Sequence, residues 1–250
     1  MPATQGAPAC SSGGRFRDST ADVAITNNGV IAMLPEPDQR LLIPSMELAR
    51  IRPGTVLYNQ GDLVRHVYFP VRGLISLFGM TPEGGMLQVV ATDCSSLVGV
   101  HVAIDETSSP HHVVAHVSCD AYRASTTTLR EACRRSNAVQ HAVLRAAHAQ
   151  IIQIGDAALC HRFHSALQRL SRWLLVYARS TSSDTVALTQ DVLSHILGSP
   201  RTAVSKAATH LQDLNAIRQR HGRIQILNRA ALTQCACECV AIQQPRGRTK

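Results

Sequence analysis

The sequence predicts an α+β chain in three parts: an N-terminal β-roll of the jelly-roll type, one long helix, and a small C-terminal unit of helices with a β-hairpin. Three observations carry this. Short β-type runs alternate with Gly-rich turns between about 51 and 124. Apolar residues then recur at 3/4 spacing from Leu144 to Ala158. Finally, two short helical patterns flank Gly198-Ser199-Pro200.

In the roll the runs are "TVLY", "HVYFP", "LISLFGM", "MLQVVA" and "HHVVAHV". The turns between them include Asn59-Gln60-Gly61-Asp62, Arg72-Gly73 and Pro82-Glu83-Gly84-Gly85. Ahead of them, residues 1–28 are rich in Ser, Gly, Ala, Thr and Asn without periodicity and read as a disordered lead-in. A short helical region is expected through "VIAMLPEPDQRLLIPSMELAR".

In the long helix, Leu144, Ala147, Ile151, Ile154 and Ala158 form one stripe with small residues at several positions. Such a stripe suits either a core-facing helix or a seam between two copies of the chain. Ser165-x-x-Gln168 has the spacing of a capping box and predicts a new helix start.

The stretch "LTQDVLSHILGSPRTAVSKAATHLQ" reads as a helix-turn-helix. Leu193 and Leu197 point inward from the first helix, and Val204, Ala207 and Leu211 from the second. Thr189 can cap the first helix and Gly198 can end it in the left-handed conformation. Ser199 is expected to cap the second helix, with Pro200 in its first turn. Arg201, Thr202, Ser205, Lys206 and Thr209 are left on the outer face of its N-terminal half, the part a recognition helix presents to the major groove. Arg and Lys there can donate to guanine; hydroxyls can read bases or hold phosphates. We assign Arg201, Thr202, Ser205 and Lys206 to base reading, and Thr189 and Thr209 to phosphate. "AIRQRHGRIQIL" then reads as a hairpin about His221-Gly222, a wing whose Arg218, Arg220 and Arg223 would meet phosphates.

Charge agrees. Residues 1–164 carry 13 basic and 13 acidic side chains and residues 165–250 carry 12 and 4, so the whole formal excess of +8 lies in the C-terminal third. A neutral part joined to a basic part points to a nucleic-acid-binding module attached to something else. No run approaches the about 18 apolar residues that cross a bilayer, and the N-terminus lacks an apolar signal core, so a cytoplasmic, membrane-free protein is expected. Eight cysteines in 250 residues do not make a disulfide scaffold. No nucleophile elbow or phosphate-cradling loop marks an enzyme.

The chain resembles the Crp/Fnr family of bacterial transcription regulators. "PGTVLYNQGD…VYFPVRGLISL" is similar to the family's cyclic-nucleotide-binding-like sensor roll, and "LTQDVLSHILGSPRTAVSKAATHLQDLNAIRQRHGRIQIL" to its winged helix-turn-helix. "HSALQRLSRWLL" and "ACEC" look like a proteobacterial branch. The resemblance spans roughly residues 30 to 240. It implies a homodimer through the long helix, two-fold-related sites on double-stranded DNA, and RNA polymerase as a candidate further partner. It carries base reading onto Arg201, Thr202 and Lys206. It also sets the expected divisions: sensor roll 29–135, dimerisation helix 136–164, winged helix-turn-helix 165–240 and basic tail 241–250. Where the cyclic-AMP receptor has an acidic residue, this chain has Thr202, so that receptor's site preference does not transfer.

Members that bind cyclic nucleotides use a Gly-Glu pair and then an Arg about ten residues later on the phosphate. Here "LVGVHVAIDETSSPHHVVAHV" keeps Gly99 but has no such Glu, and His111-His112 stand near the expected Arg. Residues 73–122 contain no Lys or Arg at all. A buried phosphate without a cation is costly, so the effector is expected not to be a cyclic nucleotide.

No cofactor or metal is expected. On a strand over 111–119, His112 and His116 would sit ~13 Å apart, too far to share an ion, and the sequence does not place His101. Cys235, Cys237 and Cys239 form C-x-C-x-C, but a metal there would need a fourth ligand, so terminal packing is expected. An iron–sulfur cluster needs a spaced N-terminal cysteine group, and only Cys10 lies there. Two function classes follow: a DNA-binding transcription regulator, or a sensor or partner-binding scaffold whose helix-turn-helix serves protein contacts.

Overall fold

A computed structural model describes residues 24–104, 107–220 and 222–242. Most of the lead-in, Asp105, Glu106, His221 and the end of the basic tail lie outside the described residues. The chain is α+β, with an N-terminal β-sandwich, a long helix and a C-terminal helix-turn-helix unit. It divides into two compact units, 1–75 with 91–151, and 76–90 with 152–250.

The first unit opens with α1 (Gly29–Ala32) and α2 (Glu36–Leu42). Buried Asn28 caps α1, accepting from the amides of Val30 and Ile31, and its Nδ2 donates to the carbonyls of Pro70 and Ser96 at 2.8 Å each. One side chain therefore ties the entering chain to the roll. Strands β1 (Glu47–Ile51), β7 (Cys119–Ser125) and β3 (His66–Arg72) form an antiparallel sheet with β7 in the centre. Strand β2 (Thr55–Tyr58) pairs with β6 (His112–Ala115). Val67 and Phe69 of β3 and Ala121 and Ala124 of β7 are almost wholly buried. Gly73 carries φ +94°, and a Cβ there would lie 2.4 Å from the Ser118 carbonyl oxygen, so the turn after β3 admits only glycine.

Two expectations change here. The helical region expected ahead of the roll ends earlier, because Glu47–Ile51 is a strand, held residue by residue against β7 from Glu47↔Arg123 to Ile51↔Cys119. The sixth strand stops at Ala115, so His116 lies beyond it and not on the face of His112. Helix α3 (Thr126–Arg135) follows, capped by Ser125. Helix α4 (Asn137–Phe163) is the 27-residue rod that begins in the first unit and ends in the second.

The second unit takes most of the hairpin β4 (Ile75–Met80) and β5 (Met86–Thr92), where buried Gln88 donates to the Ser76 hydroxyl at 2.7 Å. Helix α5 (Ala166–Thr181) starts with the expected capping box: the Ser165 hydroxyl accepts from the Gln168 amide, and the Gln168 side chain accepts from the Ser165 amide. Leu170, Trp173, Leu174 and Tyr177 bury one face of it, with Trp173 and Tyr177 stacked at 5.5 Å. After β8 (Thr185–Ala187) come α6 (Gln190–Leu197), α7 (Arg201–Asp213), β9 (Ile217–Arg220), β10 (Arg223–Ile226), α8 (Arg229–Cys235) and α9 (Cys239–Ile242). The strands make a three-stranded sheet in the order β8-β10-β9. Among the described residues no helix is long and apolar enough to cross a membrane.

Candidate nucleic-acid interface

The two-helix turn is built as its residues dictate. The Thr189 hydroxyl accepts from the Val192 amide at 3.2 Å and starts α6. Gly198 ends it at φ +52°, ψ +43°, where an added Cβ would also crowd Leu87 and His161. Leu193, Ile196 and Leu197 bury one face of α6; Val204, Ala207, Ala208 and Leu211 bury one face of α7.

The cap of α7 differs from expectation. Pro200 occupies the N-cap and makes no side-chain cap bond. The Ser199 hydroxyl is taken up elsewhere, accepting from Arg169 Nη2 at 2.6 Å. Arg169 is 8 % exposed, and its Nη1 reaches His161 Nδ1 at 2.8 Å. Burial and the Arg169 charge press the His161 pKa down to about 4, which keeps the ring neutral and able to accept. A buried arginine thus fastens the turn to α5 and to the end of α4.

The outer face of α7 carries the residues assigned to DNA. Arg201, Thr202, Lys206 and Thr209 are exposed, and Ser205 is half-buried. Arg201 pairs with Asp191 of α6, Nε to Oδ1 at 2.6 Å, and the Ser205 hydroxyl donates to Gln190 Oε1 at 2.6 Å. The structure therefore adds Asp191 and Gln190, which sequence reading did not single out. Their signal is position: both lie in the first turn of α6, facing the start of α7. Thr189 is exposed as well as capping.

On the wing, Arg220 stands opposite Arg223 and Arg218 opposite Gln225. All four are exposed, while Ile217, Ile224 and Ile226 are buried on the other face. One face of the hairpin is therefore arginine-rich, and its three arginines have no acidic partner among the described residues. Arg229 differs: both of its contacting nitrogens donate to Asp184 Oδ1, at 2.7 and 2.9 Å.

On α4, Leu144, Ile151 and Ile154 are 51 %, 66 % and 38 % exposed in the single chain. Ala158 is exposed and Ala147 half-buried. Ile152, Leu159 and Phe163 extend the exposed apolar surface toward the helix end.

In the roll, Gly99 has φ +92° and leads into a 3-10 turn over Val100–Ile104. Arg130 of α3 reaches this segment, its Nε donating to the Val102 carbonyl at 2.8 Å. Burial lowers the pKa of His111, and of His112 against an opposing pull from Asp62, so both imidazoles are held toward the neutral form. Arg72 and Arg123, which bound the cation-free segment, pair with Asp120 and Glu47.

Beside the C-terminal cysteines, for which terminal packing is expected and a metal would need a fourth ligand, the structure places two further ligand-type side chains. Cys237 and Cys239 lie with Cys160 and His164, and their ligand-type atoms are all within 4.8 Å of one another. Cys235 stands outside the group. The Cys160-x-x-x-His164 spacing was visible, but nothing local links it to a motif more than 70 residues away.

Comparison with known proteins agrees with this anatomy. Residues 48–136 match the cyclic nucleotide-binding domain, and residues 168–235 the Crp-like helix-turn-helix domain. A putative Crp/Fnr transcriptional regulator from Eubacterium rectale has a similar structure, with TM-score 0.66 and 14 % identity over 81 % of this chain and 94 % of that one. FixK2 from Bradyrhizobium japonicum gives 0.65 and 16 % over 77 % and 98 %. The c-di-GMP-responsive global regulator CLP from Xanthomonas campestris gives 0.63 and 13 % over 77 % and 99 %. At these identities the likeness is one of fold. No curated protein matches the sequence.

Proposed function

This chain belongs to the Crp/Fnr family of transcriptional regulators, and from that premise we propose that it binds palindromic operators as a homodimer, under control of an effector other than a cyclic nucleotide. The observation that carries the DNA reading is the pairing, in one unit, of a capped helix-turn-helix with an outward Arg201, Thr202 and Lys206, and a wing whose Arg218, Arg220 and Arg223 lack acidic partners among the described residues. The helix face offers directional donors to base edges. The wing offers charge to phosphates, which adds affinity without sequence choice. The Arg201–Asp191 pair is exposed on both sides, so it costs at most about 1 kcal/mol to open. Arg201 is thereby held near its working position and released when a stronger acceptor arrives.

The homodimer rests on the apolar surface of α4. Leu144, Ile151 and Ile154 are left in water by the single chain at a periodicity that one matching helix would cover. A two-fold pair would present two recognition helices to major grooves about 34 Å apart. The effector reading rests on charge: the roll segment 73–122 has no Lys or Arg, and burial disfavours the cationic form of His111 and His112. RNA polymerase is the partner that family membership brings into view.

Footprinting of the purified protein on genomic DNA tests the whole reading. We expect protected sites with two-fold symmetry and half-sites one helical turn apart. Uniform, sequence-independent coverage would favour the scaffold alternative.

A further inference from the structure

We propose that Cys160, His164, Cys237 and Cys239 bind one zinc ion, a structural site that joins the end of α4 to the segment between α8 and α9. Cys160 and His164 are one helical turn apart, so both point to the same side where α4 gives way to α5. Cys237 and Cys239 flank Glu238 in the turn between α8 and α9, closed by the Val240 amide on the Cys237 carbonyl at 3.1 Å. All four lie in the second unit.

Two of the ligand-atom distances match a metal cage, and all lie within 4.8 Å. Zn–S bonds of about 2.3 Å and Zn–N bonds of about 2.0–2.1 Å in a tetrahedron place the ligand atoms about 3.5–3.8 Å apart. Cys160 Sγ and Cys237 Sγ are 3.7 Å apart, and Cys239 Sγ and His164 Nδ1 are 3.6 Å apart. Three thiols and an imidazole are the soft and borderline donors that select zinc over magnesium or calcium. The thiols are 0 %, 2 % and 6 % exposed, which makes the site closed, as structural zinc sites are.

Two features outside the ligand set fit as well. His164 turns Nδ1 toward the thiols, and its Nε2 meets Glu238 Oε1 at 3.2 Å, the carboxylate–histidine arrangement that orients a metal-bound ring. Zinc binding would release three thiol protons and leave the cage with a formal charge of −1. Arg172, in the same unit, is a cation available to offset that charge: its Nε is buried with no hydrogen-bond partner among the described residues.

The test uses the full chain grown with added zinc and purified under reducing conditions. Elemental analysis should find about one zinc per protomer. Refilling the chelator-stripped protein with cobalt(II) should give the absorption of a tetrahedral thiolate site. Stripping should make the Cys160, Cys237 and Cys239 thiols reactive and lower the melting temperature. Cys160→Ser and Cys237→Ser should each lose most of the bound metal, whereas Cys235→Ser should keep it. If the serine variants fail to fold, cobalt titration of the reduced unsubstituted chain decides the matter. Metal-free reduced protein that gives no thiolate–cobalt absorption overturns the proposal. So does a Cys160–Cys237 disulfide without metal, or zinc content unchanged by Cys160→Ser and Cys237→Ser.

Discussion

The roll and the winged unit use arginine in opposite ways. In the roll, Arg72 and Arg123 stand opposite their acids on paired strands, and each makes two hydrogen bonds to one carboxylate oxygen, of Asp120 and Glu47. Their charge is answered within the chain. On the wing, Arg218, Arg220 and Arg223 share one face with Gln225 and face no acid among the described residues. Like charges gathered on one small hairpin repel one another, a standing cost that makes sense if an external polyanion answers them. Family resemblance alone does not teach this: a basic excess becomes a binding surface only where the fold withholds the counter-charges.

The largest test breaks the surface that presents this face twice. Ile151→Asp puts a charge in the middle of the α4 stripe, and in a paired state it would bury two unpaired carboxylates. We expect monomers by sedimentation velocity and operator affinity reduced by a hundredfold or more. An unchanged dimer would show that the stripe is not the seam.

Next come the two kinds of cation. Arg201→Ala and Lys206→Ala should each cost about 1–3 kcal/mol of discrimination between operator and random DNA. Gel shifts against both sequences separate this from general weakening, and an unaltered ratio would refute base reading. Arg218→Ala or Arg223→Ala should weaken both sequences alike and flatten the salt slope by about one unit for each phosphate no longer neutralised. A change confined to the operator would make the wing a reader instead.

Smaller still is Asp191→Asn. It removes the exposed acid that holds Arg201, and affinity for all DNA should rise by a few-fold, since such a pair is worth at most about 1 kcal/mol. A fall would mean that Asp191 positions the guanidinium more than it competes for it.

The smallest expected effect is none. Millimolar cyclic AMP at pH 7.5 should give no saturable heat and no tightening on operator DNA. Because burial lowers the pKa of both His111 and His112, a modest drop in pH charges them less readily than free imidazoles. The lack of response should therefore persist at pH 6.5. Micromolar binding would end the contrast between a segment, 73–122, without Lys or Arg and a wing that keeps three arginines without acidic partners among the described residues.

The legible parts of this chain were those decided locally. Thr189, Gly198 and the Ser165–Gln168 box each act within one turn of their own position, and each formed the feature its residue type foretold. The illegible parts were settled by partners far along the chain. Glu47–Ile51 has good helix formers and becomes a strand because β7 pairs with it. Ser199 has a capping hydroxyl, but Arg169, thirty residues earlier, takes it. The cysteine cluster needed a helix end to complete it. On α7, Arg201, Thr202, Lys206 and Thr209 are exposed while Ser205 is half-buried against Gln190, and Gln190 and Asp191 became visible only once α6 and α7 were placed together.

The bare stripe on α4 has a consequence for how the protein is kept in a cell. A newly made copy without a mate carries Leu144, Ile151, Ile154, Leu159 and Phe163 in water, the kind of surface that chaperones and proteases recognise. On the proposed pairing, scarce copies spend most of their time in that vulnerable form and abundant copies shelter one another. Halving synthesis would then remove more than half of the active regulator, so that the dose response of its target promoters is steeper than the gene's own output.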